Sequence, residues 1–162
     1  MNSKILILLF ALVAILLILY LTGRKSVHHE ITIHATPEKV WSVLTDTQTY
    51  ESWNPVMKLI EGQIQEGNKV IYQFTQDANN VSQIPSTVKE IIPNQLLNQG
   101  GGIPLILTFD HKYILKPTPN GTQLIIHEDY RGIGVNFWNP KPVEEAYGRL
   151  NRAIKIHAES LN

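Results

Sequence analysis

ATPEKVWSVLTDTQTYESWNP, residues 35–55, holds two tryptophans and two prolines between two strand-like runs. Thr36-Pro37 reads as a helix start, a hydroxyl N-cap followed by proline at the first helical position, where a backbone N–H would go unused. Val40, Trp41, Val43 and Leu44 then make a short apolar face. Asp46 can cap a second short helical piece containing Tyr50. Trp53-Asn54-Pro55 ends that piece, because proline disfavours helix in the residue before it. Trp41 is expected to anchor the first helix on a sheet, and Trp53 to close the corner where the chain returns to that sheet. The segment reads as the corner of a core or pocket, not as a catalytic motif.

Both flanks read as strand. Upstream, VHHEITIHA (27–35) alternates, with His29, Ile31 and Ile33 on one face and His28, Glu30, Thr32 and His34 on the other. Downstream, PVMKLIEG (55–62), NKVIYQFTQ (68–76), VSQIPSTVKEII (81–92), LLNQ (96–99), PLILTFDHKYIL (104–115) and TQLIIHEDY (122–130) are rich in β-branched and aromatic residues. Short turn sequences such as Pro119-Asn120-Gly121 separate them and imply antiparallel hairpins. Pro85 suggests that its strand is an edge or carries a bulge, and Gly100-Gly101-Gly102 reads as a flexible or bulged sheet corner. The chain closes on a helix of about 20 residues, where Val143, Ala146, Tyr147, Leu150, Ala153, Ile154 and His157 form one apolar stripe. Such a stripe needs a large partner surface, and the sheet is the only candidate. The order predicts an α+β domain in which a curved antiparallel sheet wraps a C-terminal helix, with two short helices after the first strand.

The amino terminus is of another kind. Residues 5–21, ILILLFALVAILLILYL, contain no charge, glycine or proline. At about 1.5 Å per residue they span roughly 25 Å, near the short end of what crosses a bilayer core of about 30 Å. The run is longer than a signal-peptide core, and Tyr20 or Leu21 would occupy a position that cleavage wants small. Residues 1–26 are therefore expected to be an uncleaved single-pass anchor with short flanks, and 27–162 the folded domain. Lys4 and the amino terminus stand against Arg24 and Lys25, and the positive-inside rule tilts the domain toward the cytoplasm by a narrow charge margin.

Composition removes several chemistries. Fourteen basic and fourteen acidic residues balance, so the basic face of a nucleic-acid binder is not expected. With no cysteine there are no disulfides, thiolate metal sites or thiol nucleophiles. His28, Glu30 and His34 share a strand face, but it is the face away from Ile31 and Ile33, expected to be solvated and not to hold metal. His127 and Asp129 have the same geometry. No HExxH, phosphate-binding glycine loop or nucleophile-elbow serine occurs, and no cofactor or catalytic residue is assigned.

The opening I-x-I-x-A-T-P-E-K-V-W-x-V-L-T-D…Y-x-x-W-N-P, the G-T-x-L…E-x-Y-x-G of 121–132 and the closing L-N-R-A-I-K…A-E of 150–159 resemble the START-like helix-grip superfamily (SRPBCC), in particular its polyketide cyclase/dehydrase and lipid-transport branch. The resemblance covers essentially residues 27–160. It implies a sheet gripping a long helix with a deep apolar cavity between them, holding lipids, sterols, aromatic polyketides or similar ligands. It does not imply one reaction, since a fold does not dictate a function.

Candidate ligand-facing residues follow from strand alternation within that fold. Leu124, Ile126, Glu128 and Tyr130 share a face, so Glu128 would approach the cavity and Tyr130 its rim; the alternative leaves Glu128 solvated near the strand end or paired with Arg131, Arg149 or Arg152. Tyr72 and Phe74 share a face with Val70, and Phe109, His111 and Tyr113 alternate in the sixth strand. Tyr147 joins from the closing helix, and the resemblance, in which that corner borders the cavity mouth, implies that Trp53 doubles as a gate. Phe74, Phe109 and Phe137 could instead fill the cavity. Three functions fit: a membrane-anchored, non-enzymatic binder or carrier of a hydrophobic small molecule or lipid; a cyclase/dehydrase working through Glu128, His111 and tyrosines; or a partner-binding module with a filled cavity. The anchor favours the first.

Overall fold

The computed structural model describes residues 3–161. Helix α1 (Ser3–Thr22) buries no residue and projects from the domain. Its length and composition meet those of a membrane span or a signal sequence. Gly23 alone separates it from β1 (Arg24–Ile33). A Cβ at Gly23 would lie 2.0 Å from the Gly132 carbonyl oxygen, so only glycine fits this junction. β1 thus starts three residues before the expected run, because Arg24, Lys25 and Ser26 are already paired with Arg131, Tyr130 and Asp129.

Thr36 is extended, and Pro37 opens α2 (Pro37–Thr45); α3 (Tyr50–Trp53) follows. The Tyr50 phenol donates to the Leu44 carbonyl at 2.6 Å and ties the two helices together. Asn54 Oδ1 accepts from the N–H groups of Val56 and Met57 at 3.0 and 2.8 Å, which turns the chain into β2 (Met57–Glu61). Strands β3 (Lys69–Asp77), β4 (Asn80–Ile92), β5 (Leu96–Ile103), β6 (Leu107–Thr118) and β7 (Gly121–Arg131) follow. The sheet is antiparallel throughout, in the order β1-β7-β6-β5-β4-β3-β2. A 3-10 turn (Ile133–Phe137) leads into α4 (Lys141–Ser160).

Three local expectations are corrected. Gly100, Gly101 and Gly102 are not a flexible corner; they continue β5, paired with Asp110, Phe109 and Thr108. A Cβ at Gly101 would lie 2.3 Å from the Pro85 carbonyl oxygen, so the glycines let β4 and β5 close up. Pro85 is not on an edge strand: it faces Ile71 of β3 and lies just beyond the Ser86–Gly101 pair that begins the β5 ladder, where its missing N–H breaks no pairing to β5. The register shift in β4 comes later, between Val88 and Glu90. Residues 104–106 belong to the hairpin turn rather than to β6.

α4 lies against both β1 and β3, five places apart in the sheet order, which only a strongly curled sheet allows. This is the helix-grip α+β fold. The two halves of α4 differ. Leu150, Ile154 and Ala158 pack with Val27, Ile33, Val40, Leu44, Leu124 and Ile126 into a closed core, each large side chain contributing about 1.5–3 kcal/mol of burial. Val143 and Tyr147, nearer its amino end, face a hollow instead. Asn151, which the apolar stripe did not anticipate, is fully buried; its Nδ2 donates to the His29 carbonyl at 3.1 Å and lies 2.9 Å from His29 Nδ1, pinning α4 to β1.

Candidate functional site

Between the curled sheet and the first half of α4 lies a cavity of about 400 Å³. Small-molecule sites range from roughly 300 to 1,000 Å³. Its walls are chiefly apolar and aromatic, from Met57, Phe74, Ile84, Leu97, Leu107, Phe109, Tyr113 and Val143. The strand period puts these side chains there: inward positions alternate with outward ones along each strand.

A polar row of cross-strand partners interrupts the apolar wall. Gln99 of β5 is the cross-strand partner of His111 of β6, which is the partner of Glu128 of β7. All three are buried, Glu128 to 3% exposure and His111 to 5%. The row lies three residues, roughly 10 Å, inside the end of β7 at Arg131. The Tyr130 phenol donates to Glu128 Oε2 at 2.5 Å, and the Tyr147 phenol donates to the same oxygen. His111 Nδ1 approaches it to 3.7 Å. At the other end of the row, Gln99 Nε2 donates to the Tyr72 hydroxyl at 3.0 Å.

Burial alone would push the Glu128 carboxyl up. The nearby His111 ring, together with the two phenols, outweighs burial and holds it below the usual glutamate range. The phenols move the other way. Burial pushes Tyr72 up to about 12, and burial with the Glu128 charge raises Tyr130 and Tyr147 well above the ordinary phenol value. The cluster is therefore a carboxylate clamped by neutral phenol donors. His111 Nε2 is buried and has no hydrogen-bond partner among the described residues. Such an orphan invites a polar atom from a ligand: with its proton on Nδ1 the ring accepts from a hydroxyl, and when doubly protonated it donates to a carbonyl or carboxylate.

Of the residues singled out in the sequence, Tyr72, Phe74, Phe109, His111, Tyr113, Glu128, Tyr130 and Tyr147 line this cavity. Trp53 does not. It stacks on His157 of α4 with ring centroids 5.0 Å apart, and its indole N–H donates to Thr49 Oγ1, so it fastens the corner. Phe137 does not fill the cavity either; it is 78% exposed. Glu128 pairs with none of the arginines considered for it, and Arg149 donates to the Gln76 carbonyl. Gln99, Tyr50 and Trp138 also line the cavity and were not singled out. Gln99 was readable, since it shares a face with Leu97. Trp138 was not, because it follows an irregular turn.

Residues 24–159 match the family described as "Polyketide cyclase / dehydrase and lipid transport". The chain belongs to that family. The polyketide cyclase/dehydrase and lipid-transport fold also recurs among solved structures. Protein MLL2253 from Mesorhizobium loti is 20% identical, with a TM-score of 0.65 over 85% of this chain and 99% of that one. Protein CV1439 from Chromobacterium violaceum is 15% identical, with a TM-score of 0.69 over 83% and 98%. The Zhui aromatase/cyclase from a Streptomyces species is 18% identical, with a TM-score of 0.61 over 84% and 94%. At these identities the likeness is one of fold. No curated protein sequence matches the chain.

Proposed function

We propose that the protein is a membrane-anchored binder or carrier of an amphiphilic small molecule or lipid, non-enzymatic, with α1 as a single-pass anchor. The apolar body of the ligand occupies the cavity, and its one polar head meets the His111–Glu128 row. The observation that carries this reading is the pairing of an apolar hollow with a buried polar row containing a ring nitrogen, His111 Nε2, that has no partner among the described residues. α1 supports it from the outside: one residue separates the helix from β1, so an embedded α1 holds the domain against the bilayer, where apolar ligands dissolve.

A cyclase/dehydrase reading draws on the same cluster, which has acid–base groups inside a cavity. The electrostatics weigh against it. A general base works best with a pKa near the working pH, whereas Glu128 is pulled down by His111 and two phenols and already engaged by both phenols. It is better built to orient a ligand than to take a proton.

The test is displacement of a fluorescent fatty acid from the full chain in detergent micelles. Saturable binding is expected, abolished in Ile84→Trp, which puts an indole into the cavity wall, and weakened in His111→Phe. Absence of saturable uptake of fatty-acid, sterol and polycyclic aromatic probes by the wild-type chain contradicts the proposal. Turnover of a ketide that is lost in Glu128→Gln would favour the enzyme instead.

A further inference from the structure

Exposed apolar side chains gather at one end of the sheet. Phe137 is 78% exposed, Ile103 66%, Leu105 62% and Ile106 52%. The pairing register shows that these positions share one rim with the junction to α1. Arg24 faces Arg131, Arg131 faces Thr108, Thr108 faces Gly102, and the neighbouring Gly101 faces Ser86. The start of β1, the end of β7, the β5–β6 turn and the first half of β4 therefore lie side by side. The same rim is the cavity mouth, because the most exposed lining residues are Ser82, Pro85, Gly102, Ile103 and Ile106.

α1 is fastened to this rim. The Gly132 N–H donates to the Gly23 carbonyl at 2.9 Å, Asn136 Nδ2 donates to the Leu19 carbonyl at 2.7 Å, and the Thr22 hydroxyl donates to Asn136 Oδ1 at 3.1 Å. The 3-10 turn is in turn locked to the β5–β6 turn, through Ile133 N–H to the Leu105 carbonyl at 2.9 Å and Gly134 N–H to the Ile106 carbonyl at 2.8 Å. Asn136 thereby stands level with the last turn of α1, where Leu21 is still apolar. Residues 102–107, GIPLIL, and 132–140, GIGVNFWNP, carry no charge. Arg24, Lys25 and Arg131 flank them, and Tyr20 and Trp138 lie alongside, the composition of a membrane interface.

We infer that the apolar collar of Ile103, Leu105, Ile106 and Phe137 is seated in the headgroup–acyl boundary of the bilayer that α1 crosses. The cavity then opens into lipid and not into water. The inference rests on α1 being a membrane span, and it adds a fixed orientation: the domain is held mouth-down by the helix junction instead of swinging on a tether. Large exposed apolar patches on soluble surfaces otherwise mark docking sites for protein partners. Here the continuity with α1 and the uncharged loops favour lipid as the occupant.

The chain has no cysteine, so single labels can be placed anywhere. The full chain is reconstituted in phosphatidylcholine–phosphatidylglycerol vesicles with an environment-sensitive fluorophore at one of four sites: Leu105→Cys, Phe137→Cys, Ala11→Cys within α1, or Asn120→Cys on the opposite rim. Blue-shifted emission quenched by nitroxide-bearing lipid is expected at 105, 137 and 11 but not at 120. If 105 and 137 behave like 120 while 11 is quenched, the collar inference is overturned and the anchor stands. If 11 is also unquenched, the anchor reading fails and takes the inference with it.

Discussion

Tyr147 of α4 donates its phenol to Glu128 of β7, nineteen residues earlier in the chain, so the helix is joined to the sheet through a carboxylate in the cavity wall. The ring of Tyr147 also meets His111 edge-on at 5.2 Å and Phe74 at 6.0 Å, and a phenylalanine would keep those contacts. Tyr147→Phe therefore isolates the hydrogen bond. Bonds to charged acceptors contribute about 1.5–3 kcal/mol, and a loss of that size is expected in urea unfolding. Unchanged stability, within about 0.5 kcal/mol, would mean that Glu128 does not depend on this phenol.

Acid should destabilise the fold in two stages. His29 is held below its ordinary value of about 6.5, first by burial and then by the Arg152 charge. The unfolded chain takes up a proton near pH 6.5 that the fold resists, so the His29 contribution is complete above that pH and is lost as pH falls toward the folded value. Glu128, also depressed, contributes above the usual glutamate value of about 4.3 and is lost at lower pH still. A thermal midpoint that declines below about pH 6.5, with the first stage removed in His29→Gln, is the expected profile. A flat midpoint between about pH 7 and pH 5 contradicts it.

Asn151 joins His29 to α4 from a fully buried position. Asn151→Ala leaves the His29 carbonyl without this donor and should lower stability by about 1–3 kcal/mol in denaturant unfolding. Retention of wild-type stability would show that water replaces the amide without loss.

Gly101 tests the corrected reading of the triple glycine. An added methyl meets the Pro85 carbonyl at 2.3 Å and the Phe109 ring at 3.0 Å, both on strands flanking β5. Gly101→Ala should destabilise by about 1–3 kcal/mol, the usual range for overpacking. A mobile corner would absorb the methyl with no change in unfolding midpoint.

Much of this architecture was legible in the residues, for identifiable reasons. Strand alternation placed Glu128, Tyr130, Tyr72 and His111 on inward faces, because a period of two leaves each side chain only two directions. Thr36-Pro37 marked α2 because proline at that position loses no hydrogen bond. What failed depended on partners distant in sequence. Gly100–Gly102 looked flexible because nothing local reveals that a neighbouring backbone needs their empty space. Trp53 was placed on the cavity lining, from which it is absent, because its stacking partner, His157, lies on the last helix. Asn151 interrupts an apolar stripe, and only its register against His29 explains a buried amide there.

Uptake of an amphiphile into the hollow between sheet and α4, as proposed above, is open to native mass spectrometry of the full chain released from lipid nanodiscs, which weighs the bound molecule itself. The expected result is a one-to-one adduct of lipid mass that persists after the nanodisc lipids are stripped and disappears in Ile84→Trp. A bare protein mass in the wild type after incubation with phospholipid, fatty acid and sterol, or an adduct unaffected by Ile84→Trp, would contradict it.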